Sequence, residues 1–267
     1  MDTLHVLGTG NATVTRCFNT CFALNLNNNW VLTDCGGGNG IITQLEKAKI
    51  NLSHIHDIFI THEHCDHILG VVWLVRLIAA GIHRGRYQGN LRIYCHSELV
   101  QTIKTLCNLT LQKKMTALFD NRIFILPVQD TETRTIAEHT FTFFDIGSTK
   151  ARQFGYTVSL TNGTVLTFMG DEPVSPHCEK YAEKAHWLLC EAFCLYDEAD
   201  RFKPYEKNHS TAKDAALLAQ RLQVKNLLLW HTEQSDLSHR KQRYTAEAAQ
   251  YFSGNIAVPD DLEVIPL

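Results

Sequence analysis

The sequence predicts an α/β fold in which two β-sheets lie face to face and helices cover their outer faces, a four-layer αβ/βα sandwich. Short apolar runs, many of them β-branched, recur along the chain and are followed by patterns with helical spacing. Two such series, each ending in a helix and a strand, are typical of two packed sheets. With 267 residues, 45% of them hydrophobic, the chain can bury a large core, and we expect one domain over residues 1–267.

The first part of the chain contains the strands of the first sheet. The earliest strands are predicted at Leu4–Leu7, Cys21–Leu26, Trp30–Thr33 and Asp57–Thr61. Ile41, Ile42, Leu45 and Ala48 repeat with helical spacing between the last two. A long apolar helix follows residue 67, and strands come next at Leu91–His96 and Arg122–Val128. The apolar run Ile68–Ile82 is shorter than the roughly 18 to 20 residues that cross a bilayer, so we expect it inside the fold.

The second part begins with three strands and then alternates strands with helices. Strands are predicted at Thr140–Ile146, Gly155–Leu160 and Thr164–Met169, and Asn162-Gly163 favours the positive φ of a tight hairpin turn. Further strands are predicted at His186–Cys190, Lys225–Trp230 and Glu263–Ile265, and helices at Thr211–Gln223 and Tyr244–Phe252.

Composition narrows the function classes. Lys plus Arg is 25 and Asp plus Glu is 28, and this net charge of −3 argues against an electrostatic nucleic-acid coat or a membrane-surface protein. The nine cysteines include no Cys-x-x-Cys pair, which indicates free thiols in a reducing compartment. The N-terminus lacks the basic flank and apolar stretch of a signal peptide. We therefore expect a cytoplasmic protein with no membrane association.

The densest group of polar residues follows the predicted strand Asp57–Thr61. Side chains two apart in an extended chain point the same way, so His62 and His64 can hold one metal ion. Asp66 and His67 come as the chain turns toward the next helix, in place for a second ion. Imidazole nitrogens and carboxylate oxygens suit Zn²⁺ or a neighbouring first-row metal such as Mn²⁺.

This His-x-His-x-Asp-His pattern resembles the signature of the metallo-β-lactamase-fold hydrolases. Other motifs follow in that family's order: Leu7-Gly8-Thr9-Gly10, Thr33-Asp34-Cys35-Gly36-Gly37-Gly38, Gly170-Asp171 and His231. The resemblance implies two zinc sites, with Asp171 as a bridging ligand and Asp34 as a brace for the metal loop. The first site would use His62, His64 and Asp171, and the second Asp66, His67, Asp171 and His231.

The glycine cluster Gly36–Gly40 also allows a nucleotide-phosphate loop, because it lies between a strand and a helix. It matches neither Gly-x-Gly-x-x-Gly nor Gly-x4-Gly-Lys, so we prefer a tight backbone turn beside the metal site.

Two further motifs resemble those of the ribonuclease Z-like phosphodiesterases. Glu191 follows the strand His186–Cys190, and His209 begins His-Ser-Thr before a helix. The resemblance implies that Glu191 orients His209, which then stabilises the transition state or protonates the leaving oxygen. A helix-start residue beside the N-cap is the alternative for His209.

The sequence departs from this family at the first metal site. The family supplies a third histidine ahead of a Gly-Tyr pair, and here Gly147 or Thr149 occupies the expected place before Gly155-Tyr156. His139 lies about 26 Å away along an extended strand, too far to substitute. We expect the first site to bind its metal more weakly than the second.

Transfer-RNA processing members of the family also carry a long Gly/Pro-rich arm before the bridging aspartate. A single hairpin fills that interval here, and the net charge is modest, so we expect a small phosphodiester rather than structured RNA as substrate. A phosphate-binding rim and a solvated surface remain equally open for four basic residues: Lys150, Arg152, Lys203 and Lys207. Family relatives commonly form homodimers, and the resemblance allows one here.

The leading hypothesis is a metal-dependent phosphodiesterase that uses a metal-activated water, with Asp66, Glu191 and His209 in catalytic roles. The substrate could be a small cyclic or nucleotide-type phosphodiester, or RNA. One alternative is hydrolysis of a carboxylic or thiol ester on the same fold. Another is a metal-binding module with weakened catalysis, because the third histidine of the first site is missing.

Overall fold

The computed structural model describes residues 2–267, which fold into fourteen strands and seven helices. The strands are β1 (Thr3–Gly8), β2 (Cys21–Leu26), β3 (Asn29–Thr33), β4 (Ile55–Phe59), β5 (Leu91–His96), β6 (Ile123–Val128), β7 (Thr133–Ile136), β8 (His139–Asp145), β9 (Phe154–Ser159), β10 (Val165–Phe168), β11 (Trp187–Glu191), β12 (Asn226–Trp230), β13 (Asn255–Ala257) and β14 (Val264–Pro266). The helices are α1 (Gly40–Lys47), α2 (Cys65–His83), α3 (Ser97–Thr110), α4 (Lys113–Thr116), α5 (Ala199–Phe202), α6 (Ala212–Arg221) and α7 (Leu237–Ala248).

The strands form two seven-stranded sheets. The strand order is β14-β1-β2-β3-β4-β5-β6 in the first sheet and β13-β12-β11-β10-β9-β8-β7 in the second. Strands β3 to β6 run parallel in the first sheet, and β10 to β13 run parallel in the second. The predicted hairpin joins the antiparallel strands β9 and β10, with Gly163 at a φ of +79°.

Aromatic side chains fill the space between the sheets. Phe22 and Phe59 of the first sheet meet Tyr156, Phe168 and Trp230 of the second, and all five are buried. The ring centroids of Phe22 and Trp230 are 4.8 Å apart, and those of Phe59 and Tyr156 are 5.4 Å apart. Aromatic pairs at such separations stabilise a core beyond the burial of their area. They hold the two sheets in a fixed relation.

Helices cover the outer face of each sheet. Leu45 of α1, Leu74 of α2 and Ile103 of α3 pack on the first sheet in one apolar cluster. Ala216 of α6 and Tyr244 of α7 pack on the second sheet in another. The predicted αβ/βα sandwich is confirmed.

Helix α2 begins earlier than the sequence indicated. His64 caps it, and the backbone N–H groups of His67 and Ile68 both donate to the His64 carbonyl oxygen. Asp66 and His67 therefore lie in the first turn of the helix and not in the preceding loop. Within residues 2–267, only Cys65–His83 is a helix long and apolar enough to cross a bilayer, and half of its apolar window is buried in the fold.

Five elements were not predicted. Helix α3 has one narrow apolar stripe, Leu99, Ile103 and Cys107, among polar residues, and it begins directly after β5. Helices α4 and α5 have four residues each and β13 has three, too few for a periodic pattern. Strand β7 is mostly polar because it lies at the edge of the second sheet. None of the nine cysteines, all within the described range, forms a disulfide.

Gly70 lets α2 lie directly against the loop after β3. A Cβ atom added at Gly70 would be 1.9 Å from the Cys35 carbonyl oxygen. We expect Gly70→Ala to lower the free energy of unfolding by about 1–3 kcal/mol, because backbone must move even though alanine favours a helix. Gly81→Ala in the same helix, whose Cβ would be 3.1 Å from Tyr87 Cβ, is the control and should change stability less. Urea unfolding of the metal-free protein measures both, and equal stability of the two variants would contradict this account.

Candidate metal centre and adjoining cavity

Strands of both sheets end at one edge of the molecule and place polar residues there. The chain continues from β4 to His62 and His64, from β10 to Asp171, and from β12 to His231, while β11 ends at Glu191. These are parallel strands, whose carboxyl ends meet at the same edge of a sheet. Residues far apart in sequence are thereby brought together.

Asp66, His67, Asp171 and His231 surround one point. His67 Nε2 is 3.2 Å from Asp66 Oδ2 and 3.3 Å from Asp171 Oδ2. His231 Nε2 is 3.4 Å from Asp171 Oδ2 and 3.7 Å from Asp66 Oδ2. Ligand atoms about 2.0–2.1 Å from a tetrahedral zinc ion are about 3.4 Å from one another. The spacing of these four residues therefore fits a zinc-sized ion.

The four residues around this point are the second group. His62, His64 and Asp171 are the first group, which could also hold a metal ion. His62 Nε2 is 2.8 Å from His64 Nδ1 and 3.8 Å from Asp171 Oδ2. Asp171 belongs to both groups through the same oxygen, Oδ2. This is the position that a bridging ligand requires.

Several atoms of these groups have no hydrogen-bond partner within the described residues. They are buried, and they include Nε2 of both His67 and His231. Buried polar atoms are almost always hydrogen-bonded, so unpaired ring nitrogens that face carboxylates call for an explanation. A bound cation supplies one, and the imidazole and carboxylate set has the right chemistry for Zn²⁺ or a similar ion.

Asp34 braces the chain on both sides of this cluster. Its Oδ1 accepts from the Thr61 backbone N–H at 2.9 Å, and its Oδ2 is 2.7 Å from His67 Nδ1. A partner at Nδ1 fixes the ring of His67 and leaves Nε2 for a metal. Asp34 has a φ of +57° and His231 a φ of +55°, a left-handed backbone that costs energy in non-glycine residues and is found at functional sites.

The charges of the cluster shift its pKa values. Burial opposes the charged imidazolium, but the carboxylates of Asp66 and Asp34 outweigh burial and hold the pKa of His67 well above its ordinary value. Burial likewise opposes the ionised carboxylate, yet the neighbouring imidazoles hold the pKa of Asp171 well below its usual range. The carboxylates therefore favour a positive charge at this point, which a metal ion would supply.

Neither residue at the place of the missing third histidine belongs to a metal-binding group. Gly147 is exposed, has a φ of +73°, and lies against His177, to which a Cβ would approach within 2.6 Å. Thr149 is also exposed. The residue of this segment that reaches the first group is Gln153, whose Nε2 lies 2.7 Å from His62 Nδ1. Sequence reasoning missed Gln153, because only the fold brings it to His62.

The structure brings Glu191 and His209 together beside the second group. Glu191 is fully buried, its Oε1 accepts from the Ser210 backbone N–H at 2.5 Å, and its Oε2 is 3.4 Å from His209 Nδ1. Phe193 stacks on the His209 ring at 4.9 Å. The ring centroid of His209 is 5.4 Å from that of His231. His209 thus has a buried carboxylate beside its Nδ1 and an aromatic ring stacked on its face.

A cavity of about 440 Å³ opens beside these residues. Its lining residues are Asn11, Ala12, Thr13, His64, Asp66, Lys150, Asp171, Phe193, Lys207, His209 and His231. Of the four basic residues named from the sequence, Lys150 and Lys207 line it. Arg152 pairs with Asp145 and Glu98, and Lys203 pairs with Asp200.

Glu172 was missed by sequence reasoning. It is buried, its Oε1 accepts from Ser148 Oγ at 2.9 Å, and its Oε2 accepts from Asn208 Nδ2 at 2.7 Å. It therefore joins the loop that carries Lys150 to the segment before His209. The only feature of the sequence that could have pointed to Glu172 is its position directly after Asp171.

The glycine cluster forms a tight turn that packs on α2. The Gly70 N–H donates to the Gly36 carbonyl oxygen at 2.9 Å, and Gly36 has a φ of +67°. A Cβ on Gly37 would lie 3.7 Å from Asp66 Cα. This agrees with the preferred interpretation of a backbone turn beside the site.

Comparison with known proteins agrees with this geometry. The metallo-β-lactamase fold protein YhfI from Bacillus subtilis superposes with a TM-score of 0.80 at 16% identity, covering 98% of each chain. Ribonuclease Z of Listeria monocytogenes is 26% identical over 309 residues, 98% of each chain. Ribonuclease Z of Phocaeicola vulgatus is 36% identical over 97 residues, so that match spans 36% of this chain and 29% of that protein.

These similarities identify a ribonuclease Z-like chain with the metallo-β-lactamase fold. A family described as "Anti-Pycsar protein Apyc1" matches residues 3–251. The match runs from the first strand through α7 and includes every residue of the two metal-binding groups and the Glu191–His209 pair. The chain belongs to the Anti-Pycsar protein Apyc1 family.

Proposed function

We propose that this chain is a metal-dependent phosphodiesterase that acts on a small phosphodiester. The observation that carries the proposal is the meeting of two metal-binding groups, which share Asp171, with the Glu191–His209 pair at one cavity. The name ribonuclease Z, borne by the relatives, supports phosphodiester chemistry. The family's name states an action against Pycsar, and we extend that action to this chain as part of the proposal.

The proposed metal ligands are the residues of the two groups. His62, His64 and Asp171 would hold the first ion, and Asp66, His67, Asp171 and His231 the second. We propose Zn²⁺ in both sites, with Mn²⁺ as a substitute and a weaker first site. When bound, such ions supply Lewis acidity that lowers the pKa of water and neutralises charge on a phosphoryl group.

The chain's own residues would orient the reactants and transfer a proton. Asp66 lies in the first turn of α2, where the helix dipole favours its charged form, and it can accept a hydrogen bond from water. Glu191 lies 3.4 Å from Nδ1 of His209 and would orient the ring, which leaves Nε2 to donate a proton to the leaving oxygen. Lys150 and Lys207 would attract the negative charge of the substrate to the cavity.

The size of the cavity supports a small substrate. A volume of about 440 Å³ lies in the range of small-molecule pockets. Between β9 and β10 there are five residues, so no arm extends from this hairpin to clamp a folded RNA. We therefore propose a small cyclic or nucleotide-type phosphodiester in preference to structured RNA.

Metal content tests the ligand assignment. The purified chain should hold two zinc ions, and His231→Ala should lose about one of them because the second group then lacks a ligand. His177→Ala is the matched control, because His177 is exposed and packs against Gly147 outside the cavity. Native mass spectrometry counts the ions. Two ions in His231→Ala would contradict the assignment, and one ion in the unaltered chain would favour the weakened metal-binding module.

Hydrolysis of bis-p-nitrophenyl phosphate by the zinc- or manganese-loaded chain tests the reaction class. For an alkyl phosphodiester we expect His209→Ala to lower kcat by about 10²- to 10⁴-fold, the range for loss of a general acid, while metal content stays at two ions. The loss should be smaller for bis-p-nitrophenyl phosphate, because nitrophenolate leaves without being protonated. Glu191→Gln should lower kcat less, since the amide can still orient the ring. No hydrolysis after metal saturation would overturn the phosphodiesterase proposal, and turnover of lactones or thioesters alone would favour the ester hydrolase.

The cavity lysines can be tested against a lysine outside it. Lys150→Gln and Lys207→Gln should raise KM for an anionic phosphodiester more than they lower kcat, because they attract charge and do not transfer protons. Lys203→Gln is the control and should leave both constants unchanged, since Lys203 pairs with Asp200 away from the cavity. The effect should shrink as salt concentration rises. Equal KM values for all three variants at low salt would contradict the proposed rim.

A further inference from the structure

We propose that Gln153 is a positioning residue of the first metal site, where its amide holds Asp171 in the orientation that binds the ion and lies against the back of His62. This inference rests on the proposed metal sites and adds to them a residue outside the ligand set. Gln153 is buried, with 1% of its surface exposed, and its side chain ends between two of the proposed ligands, Asp171 and His62.

Gln153 fixes which oxygen of Asp171 faces the metal groups. Its Nε2 donates to Asp171 Oδ1 at 2.5 Å, and its Oε1 accepts weakly from the Asp171 backbone N–H at 3.4 Å. With Oδ1 occupied, Oδ2 is the oxygen that lies between the histidines of both groups. An amide remains neutral at every relevant pH, so it restrains the carboxylate without adding a charge that competes with the ion.

The same amide also contacts the His62 ring at Nδ1. Gln153 Nε2 lies 2.7 Å from His62 Nδ1, on the side of the ring away from Nε2, which faces His64. Thr61 Oγ1 is 2.8 Å from that Nδ1 and 2.9 Å from Asp34 Oδ2. Metal binding through Nε2 requires a proton on Nδ1, and that Nδ1–H can donate to the Thr61 hydroxyl, whereas the Gln153 N–H can donate to Nδ1 only when this nitrogen is bare.

The backbone around Gln153 is built to hold the amide there. Its carbonyl oxygen accepts from the Ile146 N–H at 2.9 Å, and the next N–H, of Phe154, donates to the Thr61 carbonyl oxygen at 3.2 Å. Gly170 has a φ of +82°, and a Cβ added to it would be 2.6 Å from Gln153 Oε1. The residue before Asp171 must therefore be glycine for the amide to fit.

Gln153 compensates in part for the histidine that the first site lacks. Because the first site has three protein ligands, its metal affinity depends more on their orientation than the affinity of a site with four ligands does. Partners that orient metal ligands are typically worth 10- to 100-fold in metal affinity.

The test isolates the first site. In a His231→Ala background, which disables the second site, Gln153→Leu should lower zinc affinity about 10- to 100-fold, measured by competition with a fluorescent chelator. In a His64→Ala background, which disables the first site, the same change should have a smaller effect. Gln44→Leu is the matched control, because Gln44 is a buried glutamine whose Nε2 donates to the Leu7 carbonyl oxygen away from the ligands. It should lower thermal stability and leave zinc affinity unchanged.

A positioning role predicts a spectroscopic change that a packing role does not. The visible absorption of Co²⁺ bound in the His231→Ala background should shift in Gln153→Leu, because the ligand geometry changes. Gln153→Met, which keeps an unbranched side chain, is measured in the same way and decides the matter if the leucine variant fails to fold. Unchanged zinc affinity and an unchanged cobalt spectrum in a folded variant overturn the inference. These measurements use no substrate, so a chain that holds two ions but cleaves no phosphodiester overturns the proposed function alone.

Discussion

The sharing of one carboxylate, that of Asp171, by two groups of histidines is the constraint on which the site depends. The Oδ2 atom of Asp171 lies 3.3 to 3.8 Å from Nε2 of three buried histidines, His62, His67 and His231. Charges taken out of water cost several kcal/mol each unless they are paired, and ring nitrogens without partners add to that cost. Cations bound at this point would offset the cost, because binding to the folded state alone stabilises it.

Such a cluster persists only because surrounding residues fix its geometry. Asp34 connects Thr61 and His67, so the strand before the metal loop and the helix after it cannot move apart. Gln153 performs the corresponding task from the second sheet, where it reaches both Asp171 and His62. The two braces come from opposite sheets, and the aromatic layer between the sheets keeps them in register.

A different carboxylate connects two segments that line the cavity. Glu172 ties the loop of Lys150 to Asn208, next to His209. Since Glu172 directly follows Asp171, one turn carries both a proposed metal ligand and this connection. A volume of about 440 Å³ suits the small phosphodiester that we propose better than a folded nucleic acid.

Most of the sandwich and the centre of the candidate site could be predicted from the sequence. Period-two and period-3.6 patterns located most strands and helices, and the spacing from His62 to His67 indicated a candidate metal-binding segment because residues close in sequence are also close in space. Asp171, His231, Glu191 and His209 were named through the resemblance to metallo-β-lactamase-fold and ribonuclease Z-like motifs, and the fold brings them to one edge.

Tertiary structure alone decided the rest. Gln153 reaches the first group whereas Gly147 and Thr149 do not, because the path of an irregular loop depends on what it packs against. The four basic residues were alike in sequence, and only their places in the fold separated Lys150 and Lys207, which line the cavity, from Arg152 and Lys203. Hydrogen bonds between distant side chains leave no periodic trace in a sequence, because their geometry is set when the two sheets pack.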